Sequence, residues 1–429
     1  MAVPLRVAMA TYSRPGDIGG VTTWFYGLAR ALHDRGMVVG ILLLHEGEDD
    51  VADSSLAQDL ISAGLDVQLV AARRSFVANV KLTIDYLNRW RPTVFLPQCL
   101  PDFFVAAAMA GQRGLPWAYT IHSDDHQYWS SLSALMPQWS GGEIVCVSRY
   151  LAAEVQRRCR EAVATVIPYG VRVPPVAVVN EGPCFRVAYS GRIEEGQKRI
   201  SLVIEALILA CRQDGRIQAR LIGAGSSLES LRQRVRKEGL DHVIQFCGRV
   251  DSGDVPMLLS DCQSLLLMSD YEGLPVALLE AMAQGLVPVA RCIASGVPEL
   301  VLPDITGLQV SDDPAEAAAA IARLAADPAL WERCQRGGRD LISRAYAEPV
   351  CHGLWEELVE RLHARSRVVY PLAVPALGLR ASLNAALIDL LWSLLERRAA
   401  FALATDTVSA RIKHQIRRWL PGMLVARAR

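Results

Sequence analysis

The chain has 429 residues, of which 51% are hydrophobic and 21% are charged. This balance excludes a disordered protein, and the length is sufficient for two domains. Lysine plus arginine and aspartate plus glutamate both total 45, so the overall charge gives no indication of a nucleic-acid partner.

The first 175 residues alternate apolar strands with helical segments. The strands are predicted at RVAMATY, MVVGILLLH, VQLVAA, TVFLPQ, WAYTIHS and EIVCVS, and a helix at GGVTTWFYGLARALHDRG. Continuous apolar strands separated by helices are typical of a parallel sheet that is covered on both faces. We therefore predict a Rossmann-like domain over residues 1–175.

A stretch rich in proline and glycine, YGVRVPPVAVVNEGPC, reads as a linker, and the same alternation then starts again. It predicts a second doubly wound α/β domain over residues 176–350, with strands such as FRVAYSG, ARLIGAG, VIQFCG, SLLLMS and VPVAR. Residues 351–369 are predicted to form a helix that crosses back to the first domain. Residues 370–429 are predicted to form a basic helical extension. Ligands of such sheets bind at the carboxyl ends of the strands, so we expect a site in the cleft between the domains.

The segment SDYEGLPVALLEAMAQG holds two glutamates on either side of a helix start. Glu272 lies in the predicted loop and Glu280 in the helix. Pro275 suits the first helical position and Gly285 the position after the end. A helix N-terminus attracts anions, and carboxylates accept hydrogen bonds from hydroxyl groups. The layout therefore suits a diphosphate that carries sugars, as in a nucleotide-sugar.

Other polar residues follow predicted strands. Arg192 and Lys198 come after FRVAYSG and could bind a diphosphate, Gly20 opens the first helix, and His122 ends WAYTIHS. Each signal is weak by itself, because single cations of this kind are most often surface charges and a single histidine is more often structural. The HSDDH run resembles a metal cluster, but acids at a strand end more often cap a helix. We expect no metal site.

Several motifs together resemble the retaining glycosyltransferases of family 4, which have the GT-B fold. They are TIHS, VSRYL, IPYGV, SGRIEEGQKRISLVIEA, LIGAG, FCGRV and SDYEGLPVALLEAMAQGLVPVA, in that order. The resemblance extends over about residues 5–365, and the Glu-x7-Glu segment is its most specific part. It implies two Rossmann-like domains that face a central cleft. Two positions depart from the family pattern: Ser295 replaces the first glycine of a usual Gly-Gly pair, and IPYGVRV lacks the frequent Asn and Asp.

The resemblance also implies roles for individual residues. Arg192 and Lys198 match the pair that binds the donor diphosphate, and Gly20 matches a glycine near the β-phosphate. Glu280 matches the acid that binds the ribose hydroxyls. Arg249 and Val250 match the positions that hold the base.

The residues implied to lie near the transferred sugar belong to two loops. Glu272 and His122 match the groups at the reacting sugar. Gly273, Leu274 and Pro275 match a backbone segment that contacts sugar and phosphate. The implied reaction transfers a glycosyl group from a nucleoside diphosphate sugar to an acceptor hydroxyl, with retention, in polysaccharide, glycolipid or other glycan biosynthesis. No cofactor beyond the donor itself is implied.

Three other functions remain open from the sequence. A nucleotide-sugar epimerase or a phosphorylase could share the fold, although the Glu-x7-Glu context argues against the epimerase and the chain length against the phosphorylase. The missing GxGxxG after the first strand disfavours a nicotinamide-dependent oxidoreductase. The third is a non-catalytic binding or membrane-scaffold protein.

The ten cysteines show no CxxC spacing, which favours a reducing compartment, and the N-terminal stretch does not resemble a signal peptide. We therefore expect a cytoplasmic protein. Two basic segments with aromatic residues predict peripheral, salt-sensitive binding to an anionic membrane; the alternative is a solvated basic face whose apolar side packs on the first domain. The resemblance implies a glycan or lipid-linked glycan as the acceptor. The first segment spans residues 71–91 and includes Trp90; the second lies in the tail, around Arg417 and Trp419.

Overall fold

The computed structural model describes residues 4–14, 19–45, 54–73, 75–125, 128–129, 132, 142–179, 182–251 and 253–372. Among these residues, no helix combines the length and the apolar character that crossing a bilayer requires. The predicted tail helices after residue 372 lie outside the described residues.

The first domain is built on a parallel sheet of seven described strands, in the spatial order β3-β2-β1-β4-β5-β6-β7. The strands are β1 (Arg6–Ser13), β2 (Val38–His45), β3 (Asp66–Ala71), β4 (Val94–Pro97), β5 (Trp117–Ile121), β6 (Gly142–Cys146) and β7 (Ala164–Val166). The helices between them are α1 (Gly20–Asp34), α2 (Ser55–Ser62), α3 (Phe76–Trp90), α4 (Pro101–Gly111) and α5 (Arg149–Arg158). Strands β1, β2, β4, β5 and β6 are almost wholly buried, as their continuous apolar sequences predict.

The second domain has a parallel sheet of six described strands, in the order β10-β9-β8-β11-β12-β13. Its strands are β8 (Phe185–Ser190), β9 (Ile217–Ile222), β10 (Ile244–Gly248), β11 (Ser264–Leu267), β12 (Val287–Arg291) and β13 (Leu308–Val310). Its helices are α6 (Ile200–Gln213), α7 (Leu228–Lys237), α8 (Val255–Leu259), α9 (Val276–Gln284), α10 (Val297–Leu300), α11 (Pro314–Ala326) and α12 (Pro328–Ala345). The predicted architecture of two doubly wound sheets is confirmed. The short edge strands β7 and β13 were not predicted, because three residues carry too little periodicity.

The strand order of the two sheets determines where the loops with the predicted site residues lie. In each sheet the order reverses beside the first strand: β1 lies next to β4, and β8 lies next to β11. Loops that follow adjacent strands on opposite sides of such a point leave a crevice between them. The loops after β8 and β11 carry the predicted donor-binding residues, and Gly20 and His122 follow β1 and β5 on the facing sheet.

The chain crosses between the domains twice, and the two crossings pair with each other. Val171 N donates to Tyr346 O (2.9 Å), and Glu348 N donates to Val171 O (3.0 Å). Helix α13 (Glu348–Ala364) then packs its buried face into the first domain. There Arg361 and Arg365 donate to the buried carboxylate of Glu143, at 2.7 and 2.8 Å.

In the basic segment at residues 71–91, Trp90 contacts other residues of the first domain. Trp90 donates its indole N–H to Asp66 (2.8 Å), and the guanidinium of Arg6 lies 4.2 Å from the centre of the Trp90 ring. Lys81 and Arg89 remain exposed, whereas Arg74 lies outside the described residues. Trp90 is therefore a packing residue in this structure, which weakens the prediction that this stretch binds a membrane.

Candidate functional site

The loop after β11 positions the two glutamates as predicted, with one difference at the helix start. Pro275 adopts an extended conformation (φ −71°, ψ 110°) and caps α9, which begins at Val276. The expectation that Pro275 occupies the first helical position was therefore wrong by one residue. Gly285 follows the helix in the left-handed region (φ 95°), as its sequence position predicted.

Lys198 and Glu272 form an ion pair at the centre of this site. Nζ of Lys198 lies 2.6 Å from Oε1 of Glu272, and the two side chains are 17% and 8% exposed. The residues are far apart in sequence, and the loops after β8 and β11 bring them together. A largely buried pair of this kind is expensive to break on one side only, because the remaining charge is left without a partner. The pair therefore holds both groups at a defined position beside the start of α9.

Further contacts join the same two loops. Gln197 donates its amide to Tyr271 O (2.9 Å), and its backbone carbonyl accepts from Asp270 N (2.9 Å). Arg199 and Arg291 both bind the carboxylate of Asp270. These residues could not be selected from the sequence, because their partners lie about seventy residues away or follow another strand.

Arg192 has a more exposed environment than Lys198. Its side chain is 60% exposed, and its guanidinium pairs with Glu194 (2.7 Å) and donates to Gln197 (2.6 Å). Gly223 of the IGAG motif has a φ of 141°, and a Cβ there would overlap the backbone of Gly191. This glycine therefore allows close packing between two loops of the protein.

Glu280 lines a cavity of about 130 Å³ between α1 and α9. Burial raises the pKa of its carboxyl to about 7. The walls come from α1, the first crossing, α8, α9 and the start of α13; they include Gly20, Trp24, Tyr169, Val255, Leu259, Val276, Gln284 and His352. A Cβ on Gly20 would lie 2.8 Å from Cγ2 of Val276, so the two domains meet closely at this glycine.

The predicted base-binding positions lie on the loop between β10 and α8. Arg249 is exposed, and Val250 is half-buried against the hydrophobic core. The wall of the cavity on this side is formed by Val255, Pro256 and Leu259, a few residues further along. The structure therefore places Arg249 and Val250 near the rim of the site.

His122 lies at the end of β5 and is only 5% exposed. Its Nδ1 is 2.7 Å from the hydroxyl of Tyr169, and its Nε2 is 3.0 Å from Oε1 of Gln98. Desolvation lowers the pKa of the imidazole to about 3, so the ring is neutral. Gln98 and Tyr169 were not selected from the sequence, although Gln98 is a polar residue at the end of an apolar strand.

The loops of the two domains touch at Gly273. A Cβ on this residue would overlap the backbone carbonyl of His122. The carbonyl of Gly273 accepts from Gly296 N (2.8 Å), and the hydroxyl of Ser295 accepts from Val297 N (3.0 Å). Ser295, which departs from the family pattern, thus stabilises the start of α10. Leu274 is buried beside Gly296.

The HSDDH stretch has structural partners. Asp124 accepts hydrogen bonds from the indole of Trp129 (2.6 Å) and the hydroxyl of Tyr150 (2.8 Å). Within the ranges that the structure describes, no three His, Cys, Asp or Glu side chains are grouped as metal ligands. His126 lies outside those ranges.

Each of the two domains matches a family of known proteins. Residues 18–173 match the family described as Glycosyltransferase Family 4, and residues 180–341 match the family described as Glycosyl transferases group 1. HepE of Anabaena, solved in complex with UDP-glucose, superposes with a TM-score of 0.67 at 17% identity, covering 83% of this chain and 100% of that one. The chain has the GT-B fold.

Sequence relatives of this GT-B chain include enzymes named for polysaccharide synthesis. The chain is 29% identical to the amylovoran biosynthesis glycosyltransferase AmsK of Erwinia amylovora over 184 residues, which is 41% of this chain and 45% of AmsK. It is 25% identical to the lipopolysaccharide core biosynthesis glycosyltransferase LpsD of Rhizobium meliloti over 361 residues, which is 81% of this chain and 96% of LpsD. For five other relatives, AmsK among them, the chain matches only 32% to 48% of the length of the relative.

Proposed function

We propose that this GT-B chain is a retaining glycosyltransferase, which moves a sugar from a nucleoside diphosphate sugar to an acceptor hydroxyl. The observation that carries the proposal is the Lys198–Glu272 pair beside the start of α9, with Glu280 further along the same helix. The ammonium group and the helix N-terminus suit a diphosphate, and the two carboxylates suit sugar hydroxyls.

In this reaction the bond between the anomeric carbon and the diphosphate oxygen breaks. A bond from the same carbon to the acceptor oxygen forms on the same face, and the acceptor proton passes to the departing diphosphate. Negative charge develops on the leaving group. Lys198, Arg192 and the N-terminus of α9 would stabilise it, so the proposal requires no metal and no resident cofactor.

Glu280 would bind the ribose hydroxyls and Gly20 would lie near the β-phosphate. Gly273, Leu274 and Pro275 would contact the sugar and phosphate through their backbone, and Arg249 with Val250 would hold the base at the rim. His122 and Glu272 would lie at the reacting sugar.

We further propose a glycan or lipid-linked glycan as the acceptor and the cytoplasm, with peripheral membrane contact, as the location. The names of AmsK and LpsD support the acceptor class. Because HepE was solved with UDP-glucose bound, uridine diphosphate sugars are the first donors to test.

In the experiment that tests this proposal, purified full-length protein is incubated with a panel of UDP-, GDP- and ADP-sugars and with glycan acceptors. Products are identified by mass spectrometry, and the anomeric configuration by NMR. Transfer with retained configuration is expected. Inversion of configuration would contradict the retaining mechanism. An epimerised nucleotide-sugar, or binding without turnover across the panel, would instead favour an epimerase or a binding protein.

A further inference from the structure

Both ring nitrogens of His122 are engaged by protein groups. Nε2 faces Oε1 of Gln98 at 3.0 Å, and an amide oxygen can only accept a hydrogen bond. Nε2 therefore carries the proton, and Nδ1 accepts from the hydroxyl of Tyr169 at 2.7 Å. This arrangement selects one neutral tautomer, and it uses the hydrogen-bonding capacity of the ring completely.

Aromatic rings restrict the imidazole further. The ring of Tyr169 lies parallel to it with centres 5.8 Å apart, and Trp24 packs its edge at 5.0 Å. The three groups that hold the ring come from separate parts of the molecule: Gln98 follows β4, Trp24 lies on α1, and Tyr169 lies on the first crossing between the domains. The ring thus joins the end of the central strands to the crossing.

We propose that Gln98 and Tyr169 are positioning residues that act through His122 and set its backbone against Gly273. Gly273 belongs to the loop that carries Glu272, and a Cβ on Gly273 would lie 2.7 Å from the carbonyl carbon of His122. A shift of the His122 backbone would therefore displace the contact between the two catalytic loops. This inference rests on the proposed glycosyl transfer.

The arrangement of Gln98 itself supports the assignment. Its side chain is fully buried, and its amide nitrogen has no hydrogen-bond partner among the described residues. Burying an unsatisfied donor is costly, and an apolar side chain of similar size would fill this position without that cost. The hydrogen bond to His122 is the interaction that only the amide can make there.

The test combines Tyr169→Phe and Gln98→Met, each made in the wild-type chain and in a His122→Ala background. In the wild-type chain each change should lower kcat about tenfold and leave the donor KM within about twofold, because positioning affects the reacting geometry more than binding. In the His122→Ala background neither change should lower kcat further, since the residue through which they act is gone. Tyr119→Phe is the matched control; it removes another buried hydroxyl, bonded to Cys99 O at 3.0 Å, and should leave kcat unchanged.

Equal losses of kcat in both backgrounds would overturn the proposal, as would a rise in KM with kcat unchanged. A second measurement is independent of turnover. In protein with ¹⁵N-labelled histidine, the His122 signal should show protonated Nε2, and Gln98→Met should shift the ring toward a mixture of tautomers. An unaltered ring signal in Gln98→Met would refute the contact. If wild-type protein transfers no sugar at all, the proposed function fails, and the ring signal still decides whether Gln98 holds His122.

Discussion

The backbone of Gly273 packs against the carbonyl group of His122, so the loops of the two domains meet where no side chain fits. Gly273 follows Glu272, and His122 ends β5 of the first domain. The contact therefore joins the loop that carries Glu272, the partner of Lys198, to the domain that we expect to bind the acceptor. We expect closure of the cleft to depend on this contact.

Replacing Gly273 with alanine should lower turnover by about two orders of magnitude, because the added methyl group forces the loops apart. Each domain should still fold, since the clash lies between domains. Steady-state kinetics measures the loss, and small-angle scattering should show a less compact protein at saturating donor. Gly215→Ala is the control, because a Cβ there meets no atom within 4 Å. Full activity in Gly273→Ala would contradict this account of closure.

Lys198→Ala should lower turnover by about 10²–10³, the effect typical of losing one group that stabilises developing negative charge. It also leaves Glu272 buried without its partner, so the melting temperature should fall. Lys81→Ala removes a lysine whose pairing with Asp85 is also 2.6 Å long but is mostly exposed, and it should change neither quantity appreciably. Wild-type turnover in folded Lys198→Ala protein would exclude Lys198 from the site. Arg192→Ala should also slow turnover; its more exposed side chain predicts a smaller loss than Lys198→Ala.

The raised pKa of Glu280, about 7, predicts a pH-dependent donor affinity. The ionised carboxylate accepts from ribose hydroxyls with both oxygens and more strongly than the neutral acid, so the donor KM should fall as pH rises from about 6 to about 8. Glu280→Gln should show a higher KM without this dependence. A parallel pH profile in Glu280→Gln would assign the titration to another group.

The same burial predicts an effect on stability. Burial penalises the ionised carboxyl in the folded state only, so its pKa is about 7 in the folded protein and about 4.5 in the unfolded chain. The folded state is therefore destabilised as pH rises from the lower to the higher of these two values. Glu280→Gln should therefore melt at a higher temperature than wild type at pH about 8. The difference should shrink toward pH about 5. No difference at either pH would show that Glu280 is well solvated.

Chelation should leave activity nearly intact, because the proposed stabilisation of the leaving group comes from Lys198, Arg192 and the N-terminus of α9. Initial rates are compared with and without EDTA, followed by addition of Mg²⁺ or Mn²⁺. Strict dependence on either ion would revive the HSDDH stretch as a ligand set, although Asp124 already binds two donors.

Removing the residues after 372 should abolish binding to anionic vesicles and spare the fold. Residue 372 is a suitable end, because Leu372 exchanges two hydrogen bonds with Asn88, at 2.6 and 3.0 Å. The cations Arg411, Lys413, Arg417 and Arg418 would be lost with the tail. Co-sedimentation with vesicles of anionic and of neutral lipid compares the two proteins. Equal binding by both, or by neither, would assign the tail another role.

The sequence by itself determined the fold class, the order of the elements and the loops that hold the proposed site residues. Continuous apolar strands that alternate with helices specify buried parallel sheets. Such sheets are covered on both faces, which accounts for the apolar runs, and their strands are joined by helical crossovers. Glu272 and Glu280 could be placed relative to α9 from local signals, since Pro275 and Gly285 limit that helix through their own backbone preferences. These properties depend on neighbours within a few residues.

Only the tertiary structure decided which of these groups meet. Lys198 and Glu272 are 74 residues apart, and their pairing follows from the position of β8 beside β11 in the sheet. Gln98 and His122 follow two different strands and Tyr169 lies on an interdomain crossing, yet the three side chains meet. In the sequence, Gln98 and Tyr169 were not selected, and His122 was a weak signal by itself. Periodicity reports the burial of a segment but carries no information about its distant partners, and the protonation of Glu280 and His122 is set by those partners and by the water that they exclude.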